Sequence, residues 1–107
     1  MSETNTYVMC IISAPEEIAE ALADKIIKQR LAACAQVTTR IKSFYWWNEQ
    51  VNVDPEILIY LKTLKTKIPA INHLLKEMHP YEVPEFIVLP ILDGNPAYLA
   101  WIDDNVI

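Results

Sequence analysis

The order of the periodic segments restricts the fold of this chain more than any single motif does. A nearly continuous apolar run at 7–12 predicts a buried strand. Apolar residues at helical spacing then predict a helix over roughly 16–33, preceded by a capping-box serine, Ser13. Alternation at 36–47 and a return segment at 51–64 predict a long hairpin, with the odd-numbered residues of its first strand on one face.

The second half of the chain repeats the helix and the strand once. Thr66 is the predicted cap of a second helix, and Pro80 ends that helix because proline restricts the residue before it. An apolar segment at 84–92 predicts another strand, and Asn95 opens a short terminal helix. The order β-α-β-β-α-β predicts a ferredoxin-like α+β fold, with an antiparallel sheet, both long helices on one face and an extra C-terminal helix.

Length and composition exclude several classes of protein. A chain of 107 residues supports one hydrophobic core, so we expect a flexible N-terminus at 1–6 and a single domain at 7–107. Gly94 is the only glycine, which excludes glycine-rich phosphate-binding loops. The net charge of −5 argues against a nucleic-acid partner and is compatible with cations.

The sequence also predicts a compartment. It contains no apolar run of membrane-spanning length, and its first residues lack the pattern of a signal peptide. Its two cysteines, Cys10 and Cys34, form no C-x-x-C motif and lie in apolar stretches. We therefore expect a cytoplasmic protein without a membrane partner.

The far end of the hairpin is aromatic on both faces. Phe44, Tyr45, Trp46 and Trp47 follow one another at the end of a 12-residue segment, which would reach about 40 Å as a strand. Aromatic patches of this kind mark interaction surfaces, so we predict that these residues contact another subunit. The alternative is a hairpin that folds back onto its own core.

Five short motifs, taken together and in order, resemble the CutA divalent-cation tolerance family. They are Arg30-Leu31-Ala32-Ala33-Cys34, Tyr45-Trp46-Trp47, Leu61-Lys62-Thr63, His79-Pro80-Tyr81-Glu82-Val83-Pro84-Glu85 and Gly94-Asn95-Pro96-Ala97-Tyr98-Leu99-Ala100-Trp101. The resemblance implies a ferredoxin-like homotrimer, similar in architecture to the PII signalling proteins. It also implies a role in tolerance of copper and other divalent metals.

The same resemblance points to a metal site that this chain matches only in part. The family's copper ligands are a cysteine at the end of the first strand and two adjacent histidines before Pro-Tyr. His79 matches one histidine, whereas Met78 and Ile12 occupy the other two positions and Cys10 lies two residues before Ile12. His79 and Cys10 are therefore the candidate metal ligands. The alternatives are a histidine at a helix end and a buried, packing cysteine.

A second candidate site would bind an anion or a metabolite between subunits. Lys62 could face Glu56, Tyr81 or Glu85 across a cleft, and lysine, tyrosine and carboxylates together can orient a small polar molecule. The alternative for Lys62 is a structural ion pair. No catalytic motif is recognisable in the sequence, so we expect a binding protein and not an enzyme.

Overall fold

The computed structural model describes residues 6–107, and most of the predicted flexible segment at 1–6 lies outside the described residues. The strands are β1 (Tyr7–Ala14), β2 (Cys34–Val37), β3 (Ile41–Trp47), β4 (Gln50–Leu64) and β5 (Phe86–Pro90). The helices are α1 (Glu16–Lys28), α2 (Ile68–Met78) and α3 (Pro96–Asn105), and a short 3-10 turn, Lys65–Lys67, precedes α2. No helix within 6–107 is long and apolar enough to cross a membrane.

The sheet has the strand order β2–β4–β1–β5, and β3 pairs with β4 beyond the end of β2. All the pairings are antiparallel. β4 lies between β1 and β2, and β1 lies between β4 and β5, so the two strands of each β-α-β unit are not adjacent, as the split β-α-β arrangement requires. The ferredoxin-like fold class predicted from the sequence is confirmed.

One face of the sheet is covered by both long helices. The central strands contribute side chains that alternate toward this face, among them Cys10, Ile12, Ile59 and Leu61, all 0% exposed. Leu22 and Ile26 of α1 and Ile71 and Leu75 of α2 join them in one apolar cluster. Helical spacing in the sequence predicted these apolar stripes, and burial of each such side chain stabilises the fold by roughly 1.5–3 kcal/mol.

A β-bulge divides the predicted strand at 36–47. Val37 pairs with Ile59 and Ile41 pairs with Glu56, so three residues on this side face only two on β4. At the bulge, the Thr38 hydroxyl accepts a hydrogen bond from the Leu58 N–H at 3.0 Å, in competition with the backbone ladder. One extra residue reverses the alternation, so the prediction that the odd-numbered residues share one face is wrong.

Helix α1 ends earlier than the predicted residue 33. The Arg30 N–H donates to the Ile27 carbonyl at 2.9 Å and the Leu31 N–H to Ile26 at 3.1 Å, which is a Schellman ending with Arg30 at φ 61°. Ser13 lies in β1, so Pro15 and not a capping-box serine begins the helix.

The structure corrects the predicted N-terminal cap of α2 and agrees with the predicted first residue of the terminal helix. Thr66 lies within the 3-10 turn, and Lys67 occupies the N-cap of α2, so the predicted cap is wrong. Asn95 caps α3 as predicted, because its side-chain oxygen accepts the N–H groups of Ala97 and Tyr98. The terminal helix is attached to the domain by the Tyr7 hydroxyl, which donates to Asp103, and by an Arg30–Asn105 contact of 3.2 Å.

Candidate functional site

The hairpin of β3 and β4 extends beyond the two long helices and ends in a tight turn. Asn48 and Glu49 both have positive φ, 53° and 61°, as a two-residue type I′ turn requires. Phe44 pairs with Val53 and Trp46 with Val51, so these side chains share one face. With Pro55, which lies opposite Lys42, they form what we call the hairpin row.

The hairpin row is apolar and open to solvent in the single subunit. Phe44 is 69% exposed and Trp46 is 73% exposed, and Val51 and Val53 are also exposed. The row continues the face of β4 that carries the buried Ile57 and Ile59, because alternate residues of a strand share a face. An apolar surface of this kind, contiguous with a core and uncovered, fits an interface between protein subunits.

Tyr45 and Trp47 lie on the opposite face of the hairpin from the hairpin row. Their partners across the strand pair are the polar residues Asn52 and Gln50. The Tyr45 hydroxyl donates to the Asp54 carboxylate, and the Ser43 hydroxyl donates to Glu56 at 2.6 Å. The four aromatic residues predicted at the interface are therefore divided between an apolar face and a polar one.

The polar face leads to Tyr81, in the loop after α2. Burial raises the pKa of Tyr81, and so do the negative charges of Glu56, Asp54 and Glu17. Its ring contacts the ring of His79, with the centroids 4.9 Å apart. We call Ser43, Tyr45, Asp54, Glu56 and Tyr81 the Tyr81 cluster, which offers hydroxyl and carboxylate groups on a surface accessible to solvent.

His79 lies beneath this cluster and is only 7% exposed. Its Nε2 is 2.8 Å from the Ser13 carbonyl oxygen, and its Nδ1 accepts the Tyr81 backbone N–H at 3.1 Å. A carbonyl only accepts and an N–H only donates, so these partners assign the neutral tautomer with the proton on Nε2. Neither nitrogen of His79 is left free for a metal ion.

The second candidate metal ligand, Cys10, faces the helices from the middle of β1. Its side chain is 0% exposed, and burial raises the pKa of its thiol from the usual 9.0 to about 11. A metal binds the thiolate, which this environment disfavours. No group of three or more His, Cys, Asp or Glu residues within 6–107 could hold a metal ion. His79 and Cys10 are therefore not part of such a group among the described residues.

The predicted anion-binding residues are brought together only in part. Glu56 lies close to Tyr81, whereas Lys62 is six residues from Glu56 along β4, about 20 Å at the rise of a strand. The ammonium of Lys62 donates instead to the side chain of Gln36. Glu85 is exposed just before β5, and the Glu56–Tyr81 pair and Lys62 occupy different parts of the subunit.

A groove that was not predicted from the sequence lies beside the bulge. Its volume is about 370 Å³, and it is lined by Arg40, Ile41, Lys42, Phe44, Val53, Asp54 and Pro55. The Arg40 guanidinium pairs with Glu16 at 2.6 Å and fixes this edge of the groove to the start of α1. The groove depends on the bulge at 38–40, so the residues that form it become neighbours only in the folded chain.

Comparison with known proteins relates this geometry to a family. The family model described as CutA1 divalent ion tolerance protein matches residues 7–105. A Thermus thermophilus protein named divalent-cation tolerance protein CutA is 38% identical over 98 residues, which cover 92% of this chain and 95% of the relative. A mouse protein named CutA is 39% identical over 87 residues, and the matched region spans only 49% of that longer relative.

Solved structures agree with these sequence matches. The crystal structure of CutA1 from Oryza sativa aligns with a TM-score of 0.92 and 37% identity, over 98% of this chain and 97% of that one. The Thermus thermophilus CutA1 structure aligns with a TM-score of 0.90 over 94% of this chain. The chain therefore belongs to the CutA1 family of divalent ion tolerance proteins.

Proposed function

We propose that this protein acts as a cytoplasmic homotrimer in the tolerance of divalent cations, by binding copper or another divalent cation and not by catalysis. The observation that carries the proposal is the match of the CutA1 divalent ion tolerance model to residues 7–105. The net charge of −5 favours the approach of cations to the surface. The free thiols of Cys10 and Cys34 suit a reducing compartment.

The trimer is supported by the surface of the single subunit. The hairpin row exposes Phe44 and Trp46 to water, and the open face of the sheet exposes Ile87 and Leu89 of β5. Covering these side chains would recover the free energy of apolar burial, about 25 cal/mol per Å². Tyr45 and Trp47 would complete the contact from the polar face of the same hairpin.

We expect this chain to restore growth in elevated copper to an Escherichia coli strain that lacks its own CutA protein. The strain's own protein, supplied from the same plasmid, is the positive control, and Trp46→Asp is the matched variant that should not assemble. Growth curves at increasing Cu²⁺ concentration measure the effect. If the soluble wild-type chain gives the same growth as the empty plasmid, the proposed tolerance function is wrong.

A second candidate function is a ligand pocket between subunits, as in PII-like trimers. It is favoured by the Tyr81 cluster, where the carboxylate of Glu56 is near enough to Tyr81 to raise the pKa of its hydroxyl. Lys62 lies about 20 Å away along β4, so it would reach this cluster only from a neighbouring subunit. Glu85, also exposed, would lie at the rim of such a pocket.

Native mass spectrometry of the purified trimer tests the pocket. A retained small molecule should appear as extra mass in the wild type and be lost in Lys62→Ala and in Glu56→Gln, because both would remove a polar contact from one site. Lys65→Ala removes another lysine at the end of β4 and serves as the control. If the wild-type trimer carries no added mass and Lys62→Ala shows no loss of mass beyond the substitution, the pocket is contradicted. That result would not contradict the proposed cation function.

A further inference from the structure

We propose that His79 is a positioning residue, which fixes Tyr81 beside the carboxylates of β4, and not a ligand for a metal ion. The proposal concerns the histidine that the family resemblance assigns to copper. It does not depend on which cation or small molecule the trimer binds.

Three hydrogen bonds attach His79 to three different segments of the chain. Its backbone N–H donates to Leu75 at 2.8 Å and closes the last turn of α2. Its Nε2–H donates to the Ser13 carbonyl at 2.8 Å, at the end of β1. Its Nδ1 accepts the Tyr81 N–H at 3.1 Å, and Pro80 between them restricts the backbone. The imidazole therefore links helix, strand and loop.

Coordination of a metal would break this arrangement. A metal at Nδ1 would displace the Tyr81 N–H, because that nitrogen has one lone pair. A metal at Nε2 would move the proton to Nδ1, so that two N–H groups, of His79 and Tyr81, would face each other. It would also leave the Ser13 carbonyl without its hydrogen-bond donor. His79 is buried, so each lost bond leaves a buried polar group without a partner, and that loss is costly.

The group that His79 positions is the Tyr81 ring. The two rings touch with centroids 4.9 Å apart, and the Tyr81 phenol lies within the electrostatic influence of Glu56, Asp54 and Glu17. Tyr81 is 46% exposed, so few other contacts restrain it on the solvent side. Its position depends on the hydrogen bond to Nδ1 and on the ring contact, both of which come from His79.

Two variants of His79 each keep one of its two side-chain hydrogen bonds and lose the other. Asparagine at position 79 can accept the N–H two residues on, so His79→Asn keeps the Tyr81 bond and loses the Ser13 bond. His79→Gln places an amide donor near Nε2 and keeps the Ser13 bond instead. The Tyr81 backbone N–H should keep its wild-type rate of hydrogen exchange in His79→Asn, whereas in His79→Gln it should exchange faster, because its acceptor is lost. Hydrogen exchange followed by NMR measures both rates, and equal rates for the Tyr81 N–H in the two variants would contradict the positioning role.

Metal titration distinguishes positioning from ligation. Neither amide is a good ligand for Zn²⁺ or Cu²⁺, so loss of a true ligand would weaken binding by at least about tenfold in both variants. We expect calorimetric affinities for both ions to match the wild type. The exposed His73, which pairs with Glu77 at 3.4 Å, supplies the matched control, His73→Gln.

The wild-type protein gives a readout even where a variant fails to fold. Its two histidines produce two sets of ¹⁵N ring signals, and His73→Gln assigns them. We expect His79 in the Nε2–H tautomer at neutral pH, unchanged by one equivalent of Zn²⁺ per subunit. A shift of the His79 ring nitrogens upon Zn²⁺ addition would overturn the proposal and restore His79 as a metal ligand.

Discussion

Replacing Trp46 with aspartate is expected to convert the proposed trimer into monomers. Trp46 is 73% exposed, more than Phe44, Val51 or Val53, and an indole buries about 150–250 Å² when it is covered. The substitution removes that apolar surface and places an unpaired carboxylate against the apolar side chain of a neighbouring subunit. The expected cost is about 3–5 kcal/mol per subunit.

Light scattering and native mass spectrometry measure this effect directly. The wild type should have the mass of three subunits, three times 12.3 kDa, and Trp46→Asp the mass of one. Gln50→Glu is the control, since it adds the same charge on the polar face of the same hairpin, where Gln50 lies opposite Trp47. If the wild-type protein has the mass of one subunit, the proposed trimer is wrong. If Trp46→Asp still has the mass of three subunits, the interface lies elsewhere.

Alkaline pH is expected to destabilise the folded chain through Cys10. Burial raises the pKa of this thiol from 9.0 to about 11, so the folded state holds the proton more tightly than the unfolded state does. The stabilisation is fully present below pH 9.0, declines as the pH rises toward about 11, and is lost above it. A shift of this size corresponds to about 2–3 kcal/mol per subunit.

Urea unfolding, followed by circular dichroism between pH 7 and pH 11.5, measures the decline. Raised pKa values of Tyr45 and Tyr81 act in the same direction, so the thiol is isolated by comparison with Cys10→Ala. That variant should be less stable at neutral pH, since it leaves a small cavity, but its stability should fall less steeply above pH 9. Cys34→Ala controls for the loss of a thiol outside the core. Parallel pH curves for Cys10→Ala and the wild type would show that the Cys10 proton does not contribute.

The candidate site was harder to predict from the sequence than the fold. The pattern at 79–85 directed attention to His79 and Tyr81, but it did not indicate what His79 contacts. Its partners, Ser13 and Tyr81, lie at sequence separations of 66 and 2 residues, and neither carries a side-chain signal that marks the bond. Lys62 and Glu56 share one face of β4, and their separation of six residues already places them about 20 Å apart along a strand, so only a contact between subunits could bring them together.

The element order, the helix-covered face and the aromatic end of the hairpin were all predicted from the sequence. These follow from local periodicity, because apolar side chains repeat at the spacing of a helix or a strand whatever lies next to them. The folded chain alone shows which of the two aromatic pairs lies on the helix-covered side of the sheet. At the bulge, the Thr38 hydroxyl bonds to Leu58 across the sheet, and the bulge puts Phe44 and Trp46 on the same face of the sheet as Val37. A one-residue bulge reverses every later side chain, and the contact at the bulge joins residues that are 20 positions apart.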